Sequence, residues 1–247
     1  MSYGISRSKQ FLSVLAECGY AIREDARVLD FGCGAGTLVA EFRNAGFDAF
    51  GCDFAFKDGP HVLGLRESGN IRLINAEKYR LPFDDHVFDI VVSDEVFEHV
   101  RDYGSALREI RRVLRRNGVS MHFFPSRYAP IEPHVKVPFA TILQNENWLR
   151  FWAMLGIRNE YQKNLSAWTV ASENFRFLTR STNYLPEGKI LDEFSQIFGK
   201  VEFAERAFLK FSRYAHAYSI SLWLPFVARM YGTCRSRVVV AGEPFRT

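Results

Sequence analysis

The sequence contains only four cysteines in 247 residues, and they are scattered along the chain. Cys18, Cys33, Cys52 and Cys234 form no C-x-x-C pair, which argues against a zinc site and against a disulfide framework. Free thiols persist in a reducing compartment, so we expect a cytoplasmic location.

Long apolar runs and a strong charge of one sign are also missing. The segment "FLSVLAECGYAI" is too short for a signal peptide and is interrupted by Glu17 and Gly19. No uncharged stretch reaches the length of a membrane span. The net charge is +4, which is too weak to indicate a nucleic-acid partner. We therefore expect neither a transmembrane segment nor nucleic acid.

What the sequence does contain is a regular alternation of apolar strands with amphipathic helices. Strands are predicted at 28–31, 47–52, 71–74, 87–93, 119–124, 201–207 and 235–243. Helices are predicted at 6–22, 37–44, 57–69, 103–116 and 188–198. This pattern predicts an α/β fold, a Rossmann-like doubly wound sheet of seven strands, mostly parallel, with the last two strands at an antiparallel edge.

The alternation stops after the fifth strand and divides the chain into three parts. Residues 1–125 would form a nucleotide-binding core, 126–185 an inserted cap, and 186–247 the rest of the core. The insertion is rich in tryptophan, phenylalanine, asparagine and arginine, so we expect its inner wall to select a substrate.

A glycine-rich turn follows the first strand in "RVLDFGCGAGT". Its spacing differs from the dinucleotide signature G-x-G-x-x-G, and no phosphate-binding G-K-[ST] follows. Asp30 before the turn suits a ligand with a positive end, and Asp53 at the end of the second strand is placed to accept hydrogen bonds from a ribose. S-adenosylmethionine has a ribose and a sulfonium and needs no phosphate site, so we predict it as the cofactor.

These segments, over about residues 25–125, resemble the class I S-adenosylmethionine-dependent methyltransferases of the UbiE/UbiG-like group, the type 11 methyltransferases. The similar stretches are "VLDFGCGAG", "GCDF", "NAEKYRLPFDDHVFDIVVSDEVFEHV" and "ALREIRRVLRRNG". The resemblance implies cofactor contacts at Asp30, Gly32, Gly34, Asp53, Phe54, Asn75, Ala76, Glu77 and Ser93. Asp30, Gly32 and Gly34 would line the methionine. Asp53 and Phe54 would contact the ribose and adenosine, residues 75–77 the adenine edge, and Ser93 the sulfur side.

Two histidines are candidate catalytic residues. His134 lies in a proline-stiffened loop beyond the fifth strand, near Glu132, and could remove a proton from the acceptor. His99 is the second candidate. With Glu95 and Glu98 at helical spacing, it resembles the divalent-metal site of some ubiquinone-pathway O-methyltransferases. The alternative is that these residues only brace the loop, and we expect no metal.

We expect O-methylation of a small molecule or a glycan bound under the cap. The apolar segment 208–232 has three interpretations, in this order: a core helix pair, a homodimer surface, or a peripheral membrane contact. Two other functions stay open, an NAD-type oxidoreductase and a non-catalytic binding protein that keeps the nucleotide fold.

Overall fold

The computed structural model describes residues 5–243 of the chain. The strands are β1 (Arg27–Phe31), β2 (Asp48–Asp53), β3 (Ile71–Leu73), β4 (Phe88–Asp94), β5 (Leu114–Pro125), β6 (Lys200–Phe203) and β7 (Ser236–Gly242). The helices are α1 (Arg7–Glu17), α2 (Thr37–Asn44), α3 (Val62–Glu67), α4 (Tyr103–Val113), α5 (Glu146–Met154), α6 (Ala167–Ser181), α7 (Glu187–Ser195), α8 (Glu205–Lys210), α9 (Ala215–Trp223) and α10 (Phe226–Cys234).

All seven strands belong to one sheet in the order β3-β2-β1-β4-β5-β7-β6. Strands β1 to β5 run parallel, and β7 pairs antiparallel with β5 and β6. The predicted seven-stranded, mostly parallel sheet is thus confirmed. The strand order reverses between β1 and β4, and in open α/β sheets ligands bind beyond the carboxyl ends of the strands at this point.

The central strands β1 and β4 are buried over almost their whole length because both faces of the sheet are covered. Val28 faces one buried cluster, which also contains Phe11 of α1 and Phe42 of α2. Leu29, the next residue, faces the opposite cluster with Leu107 of α4. Neighbouring side chains of one strand therefore hold helices on opposite sides of the sheet.

Residues 126–185 form a helical insertion between β5 and α7. Helices α5 and α6 pack on each other around a small apolar cluster of their own, which includes Val137, Leu149 and Leu178. Trp148 and Trp152 pack edge to face, 5.7 Å apart, against this cluster. Much of the aromatic content of the insertion therefore serves its own packing.

The predicted helix 103–116 is too long by three residues. Helix α4 ends at Val113, and β5 begins at Leu114, well before the predicted strand at 119–124. Pairing of β5 with β4 shifts register at this point, where Arg115 binds both carboxylate oxygens of Asp89. Asn117-Gly118 thus belongs to an irregular strand start and does not cap the helix.

Other predicted bounds also change. The helix predicted at 57–69 covers only Val62–Glu67, because residues 54–60 form an extended loop above the glycine-rich turn. The strand predicted at 201–207 ends at Phe203, and α8 follows at once. Among residues 5–243, no helix combines the length and apolarity needed to cross a membrane.

The apolar segment 208–232 is only partly core. Phe208 and Leu209 of α8 are buried in the sheet packing. Helices α9 and α10 instead expose large apolar side chains at their connection, and Trp223 is 87% exposed. The interpretation as a core helix pair is therefore wrong for this connection.

Candidate active site

The glycine-rich turn is built around Gly32, the residue after β1. Its N–H donates to the Cys52 carbonyl of β2 at 2.8 Å, and its φ of 81° lies in the left-handed region. A Cβ at this position would lie 2.4 Å from Val96 Cγ2. Gly32 is therefore required both by the backbone conformation and by the close approach of the loop after β4.

Asp30 lies beneath this turn and is almost completely buried. Burial raises the pKa of its carboxyl well above the ordinary value, and repulsion from Asp94 and Asp53 adds to the shift. A nearby cation would favour the ionised form of this carboxyl. The turn thus has the electrostatic character expected of a site for a positively charged ligand.

Asp53 ties the turn to the end of β2. One of its carboxylate oxygens accepts the N–H of Gly34 at 2.8 Å, and the other accepts the N–H of Phe54 at 2.7 Å. The side chain is half-buried, with Phe54 exposed beside it. The carboxylate has lone pairs left for a ribose hydroxyl.

Two residues near Asp53 were not identified from the sequence. The methylene chain of Lys57 lies across Gly34, 3.5 Å from where a Cβ would stand. Tyr79 packs on Phe54 with ring centroids 5.5 Å apart. The neighbouring residues 75–77 are exposed, and Asn75 pairs with Arg80 across a short bridge. Phe54 and Tyr79 thus form an aromatic wall next to the predicted adenine segment at Asn75, Ala76 and Glu77.

Ser93 does not join this group. Its side chain is fully buried, and its hydroxyl hydrogen-bonds His122 Nδ1 at 2.8 Å. His122 lies against Phe97 and Phe194 in the core, and burial lowers the pKa of its imidazole to about 3. Strand alternation turns the Ser93 side chain into the core, so this side chain does not face the glycine-rich turn, and a contact of Ser93 with the cofactor stays a prediction for its backbone alone.

A cavity of about 1170 Å³ lies beyond the ends of β4 and β5. Its wall combines aromatic rings with charged side chains. The rings are Phe123, Phe208, Phe211, Tyr214 and Tyr231, and the charged side chains are Arg7, Asp94, Glu95, Lys210, Arg213 and Arg235. The insertion contributes only the segment around Ala129–Pro133, whereas α1 and the region of α8–α10 contribute most of the rest. The cap therefore contributes little to this cavity, and an acceptor bound under the cap stays a prediction.

Arg7 of α1 closes one side of the cavity. Its Nε and Nη2 donate to the two oxygens of Asp94 at 2.7 and 2.5 Å. Its guanidinium also lies over the Phe123 ring, 4.2 Å from the centroid. This contact is not predictable from sequence spacing, because it joins the first helix to the end of the fourth strand.

His99 and His134 come together at the edge of the insertion, with ring centroids 5.0 Å apart. Glu98 is the third member of this group, and ligand atoms of all three lie within 4.8 Å of one another. Glu95 is outside it, because residues 97–99 form a short 3-10 turn and Glu95 has a φ of 56°. The helical spacing expected for Glu95, Glu98 and His99 is therefore wrong, and His134 stands in the third place.

Hydrogen bonds fix both imidazoles. His134 Nδ1 donates to Glu132 Oε1 at 2.8 Å, and His99 Nδ1 donates to the Ser181 carbonyl at 2.6 Å. Tyr184 donates its hydroxyl to the same Glu132 oxygen at 2.6 Å. Burial alone would raise the pKa of the Glu132 carboxyl, but the bonds from His134, Tyr184 and the Val135 N–H outweigh it and lower the pKa. Glu132 is thus a carboxylate, and both Nε2 atoms carry a free lone pair.

Glu98 is the least compensated polar side chain of this group. It is 1% exposed, and neither carboxylate oxygen has a hydrogen-bond partner in the described part of the chain. Burial raises its pKa from 4.5 to about 8, with further repulsion from Glu95, Asp94 and Glu132. An orphaned carboxylate beside two imidazole lone pairs fits the donor set of a divalent cation. Without a cation, Glu98 stays protonated at neutral pH.

The fold and the turn define a class of protein: a doubly wound α/β domain with a glycine-rich turn at its switch point. Residues 29–121 match the family model of a methyltransferase domain. This part of the chain is thus similar to the class I S-adenosylmethionine-dependent methyltransferases of the UbiE-like group, as the sequence motifs predict. That class uses S-adenosylmethionine as its cofactor. An NAD-type oxidoreductase is not favoured.

The relatives support this domain and leave the rest of the chain open. The chain is 33% identical over 125 residues to the ubiquinone/menaquinone biosynthesis C-methyltransferase UbiE of Idiomarina loihiensis, covering 48% of this chain and 49% of that protein. It is 34% identical over 122 residues to the uncharacterized methyltransferase YcgJ of Bacillus subtilis, covering 48% of this chain and 46% of that protein. The chain therefore spans about half the length of the curated relatives it matches.

One solved structure shares the fold over most of the chain. It is an S-adenosylmethionine-dependent methyltransferase from Mesorhizobium loti, with a TM-score of 0.50 and 15% sequence identity. The alignment covers 94% of this chain and 96% of that one. At this identity the likeness extends to the architecture alone.

Gly32→Ala should destabilise the protein more than Gly46→Ala, a matched control with φ of 95° and no atom within 4 Å of its Cβ position. The control should cost about 1–2 kcal/mol for the left-handed backbone. Gly32→Ala should cost about 1–3 kcal/mol more, because Val96 must move. Denaturant unfolding measures both, and Val96→Ala should recover part of the excess. Equal losses of unfolding free energy for the two glycine variants would contradict the close packing of Val96 on Gly32.

Glu98 should make stability fall as pH rises, in protein freed of metal by a chelator. Between 4.5 and about 8 the unfolded state loses its proton while the folded state keeps it, so folding becomes less favourable across this window. From about pH 5 to about pH 9, Glu98→Gln should gain about 3–5 kcal/mol relative to wild type. The exposed Glu67→Gln is the control in the same denaturation series. If the unfolding free energies of wild type and Glu98→Gln depend on pH in the same way, the raised pKa of Glu98 is excluded.

Proposed function

We propose that the protein transfers a methyl group from S-adenosylmethionine to a hydroxyl-bearing aromatic small molecule in the cavity beyond β4 and β5. One observation carries this proposal: the cofactor turn and the cavity share the segment Asp94–Val96. Val96 packs on Gly32 of the turn, while Asp94 and Glu95 line the cavity. A methyl group presented at this segment would face the acceptor.

The cofactor half of the site has a matching group for each part of S-adenosylmethionine. Asp53 is placed to accept from the ribose hydroxyls, and the Phe54–Tyr79 wall to contact the adenine. Asp30 beneath the turn offers negative charge to the cationic end. Lys57, which lies over Gly34, is placed to pair with the carboxylate of the methionine moiety.

The wall of the cavity favours an apolar aromatic acceptor over a glycan. Its aromatic rings come from phenylalanine and tyrosine, and Pro125, Pro130 and Pro133 add further apolar surface. Two of the three tryptophans of the insertion, Trp148 and Trp152, are used in its own packing. Relatives named for ubiquinone and menaquinone biosynthesis are consistent with an aromatic acceptor.

The transfer is an in-line displacement at the methyl carbon. The S–CH3 bond breaks, the sulfonium becomes the thioether of S-adenosylhomocysteine, and the methyl forms a bond to the acceptor. We infer that His134 Nε2, on the residue that follows Pro133 of the cavity wall, takes the proton of an acceptor hydroxyl held at that edge of the cavity, and that Glu132 stabilises the imidazolium through Nδ1–H. A phenolate formed in this way accepts methyl at oxygen, which completes O-methylation. At a ring carbon the methyl gives a dienone, and C-methylation is complete only when that carbon loses its proton to water and the oxygen regains a proton from the His134 imidazolium.

Glu98, His99 and His134 would hold a divalent cation if one binds. Such a cation would supply Lewis acidity toward an acceptor oxygen. His134 would then be a ligand, and the two roles are separable by experiment.

Asp53→Ala should weaken S-adenosylhomocysteine binding by about 1.5–3 kcal/mol, because a charged hydrogen-bond acceptor is lost. Asp53→Asn should lose less, since its amide oxygen still accepts from the Gly34 N–H. Asp58→Ala, an exposed acid of the same loop, should bind as wild type. Isothermal titration calorimetry measures all three. An unchanged affinity of Asp53→Ala would remove Asp53 from the site.

His134→Ala should lower kcat by about 10²–10⁴, as expected for loss of a general base, while leaving S-adenosylhomocysteine affinity near wild type. Turnover of a panel of phenols and hydroquinones, followed by mass spectrometry, provides the assay, with the exposed His61→Ala as control. Activity that a chelator abolishes and Mg²⁺ or Zn²⁺ restores would make His134 a ligand. Cofactor binding with no turnover of any acceptor would favour the non-catalytic binding protein.

A further inference from the structure

Helices α9 and α10 form a hairpin that exposes an apolar surface at its turn. Six large apolar side chains there are between 47% and 87% exposed. We call this surface the apolar tip, and its residues are Ile220, Leu222, Trp223, Leu224, Phe226 and Met230. Proteins rarely leave so many large neighbouring apolar side chains in water without a partner.

The charge around the apolar tip has one sign. Residues 206–242 contain no aspartate or glutamate and six cationic side chains, Arg206, Lys210, Arg213, Arg229, Arg235 and Arg237. Two of these are neutralised, because Lys210 pairs with Glu17 and Arg237 with Glu187 and Glu205. The exposed Arg213, Arg229 and Arg235 form no ion pair with any residue of 5–243.

The free arginines are spread along the whole hairpin. Arg229 lies on α10, three residues from Phe226 of the apolar tip. Arg213 and Arg235 lie at the opposite end, each 5.0 Å from the centroid of the Tyr214 ring. A hairpin with apolar side chains at one end and unpaired arginines along it matches the anionic surface of a lipid bilayer.

We propose that the α9–α10 hairpin docks the protein peripherally on an anionic membrane. The apolar tip enters the boundary between headgroups and acyl chains, with Trp223 as its most exposed side chain, and the arginines contact lipid phosphates. A second copy of the chain fits this surface less well, because pairing two hairpins would bring unpaired arginines together without an acid between them.

The hairpin is continuous with the cavity, which gives the docking a use. Arg213, Tyr214, Tyr231 and Arg235 all line the cavity as well. The cavity then lies at the base of the docked hairpin, about 13 Å from the inserted tip, within reach of an apolar acceptor that leaves the bilayer. Docking itself does not need the methyl transfer, so vesicle binding can fail while cofactor binding persists, and the converse also holds.

Vesicle sedimentation of the full-length protein tests the proposal. Wild type should sediment with vesicles of phosphatidylcholine and phosphatidylglycerol and much less with pure phosphatidylcholine. The double variant Trp223→Ser/Phe226→Ser should bind about tenfold or more weakly, because two anchors are lost. Trp168→Ser, an exposed tryptophan on the insertion, is the matched control and should bind as wild type.

A second pair of substitutions tests the arginines of the hairpin. Arg213→Gln/Arg229→Gln should lose about tenfold or more in affinity for the anionic vesicles, at about fivefold per arginine. Arg176→Gln, an exposed arginine of α6, should not change it. Circular dichroism and S-adenosylhomocysteine titration of each variant establish that it is folded.

The emission of Trp223 gives a second readout. Wild-type fluorescence should shift to shorter wavelength on anionic vesicles, and Trp223→Phe should abolish most of the shift while retaining binding. The proposal is overturned if wild type does not bind, or binds both vesicle types equally. A dimer in sedimentation velocity that Trp223→Ser/Phe226→Ser dissociates, without vesicle binding, would assign the apolar tip to a second copy.

Discussion

The contact between Val96 and the bare Cα of Gly32 is the constraint on which the site depends. It brings the loop after β4 onto the turn after β1, where a side chain on Gly32 would collide with it. Because the strand order reverses between β1 and β4, this contact lies at the switch point of the sheet. The same loop continues into Asp94 and Glu95, so one short segment separates the cofactor turn from the acceptor cavity.

Buried carboxyl groups give this region its electrostatic character. Within residues 5–243, Asp30 has no compensating cation beneath the turn, and Glu98 has no side-chain hydrogen-bond partner beside the imidazoles. Both groups hold their protons more tightly than in water, at a cost to folding. Asp94, in contrast, is satisfied by Arg7, which also orders the first helix against the sheet. Uncompensated charge concentrated at one place is typical of sites that bind a ligand of opposite sign.

The sequence predicted the sheet and the cofactor turn because both depend on local patterns. Continuous apolar runs such as "VFDIVVS" indicate strands covered on both sides, and the spacing of Asp30, Gly32 and Asp53 indicates the turn. The junction of α4 and β5 was misplaced because Asn117-Gly118 has the same appearance in a bulge as in a helix cap. The identity of these two residues alone does not show whether they form a bulge or a helix cap.

Features that join distant parts of the chain were not predictable from spacing. Arg7 meets Asp94 across 87 positions, and Tyr184 meets Glu132 across 52. The proximity of His99 to His134 likewise depends on how the insertion folds back over the turn after β4. The segment 208–232 divides into a buried α8 and an exposed hairpin because only α8 lies against the sheet, which composition alone does not reveal.

The most direct measurement is a crystal structure of the full-length protein with S-adenosylhomocysteine. Electron density should show the ribose hydroxyls within hydrogen-bond distance of Asp53 and the sulfur facing the cavity past Val96. Density at another site, or a sulfur directed away from the cavity, would contradict the account.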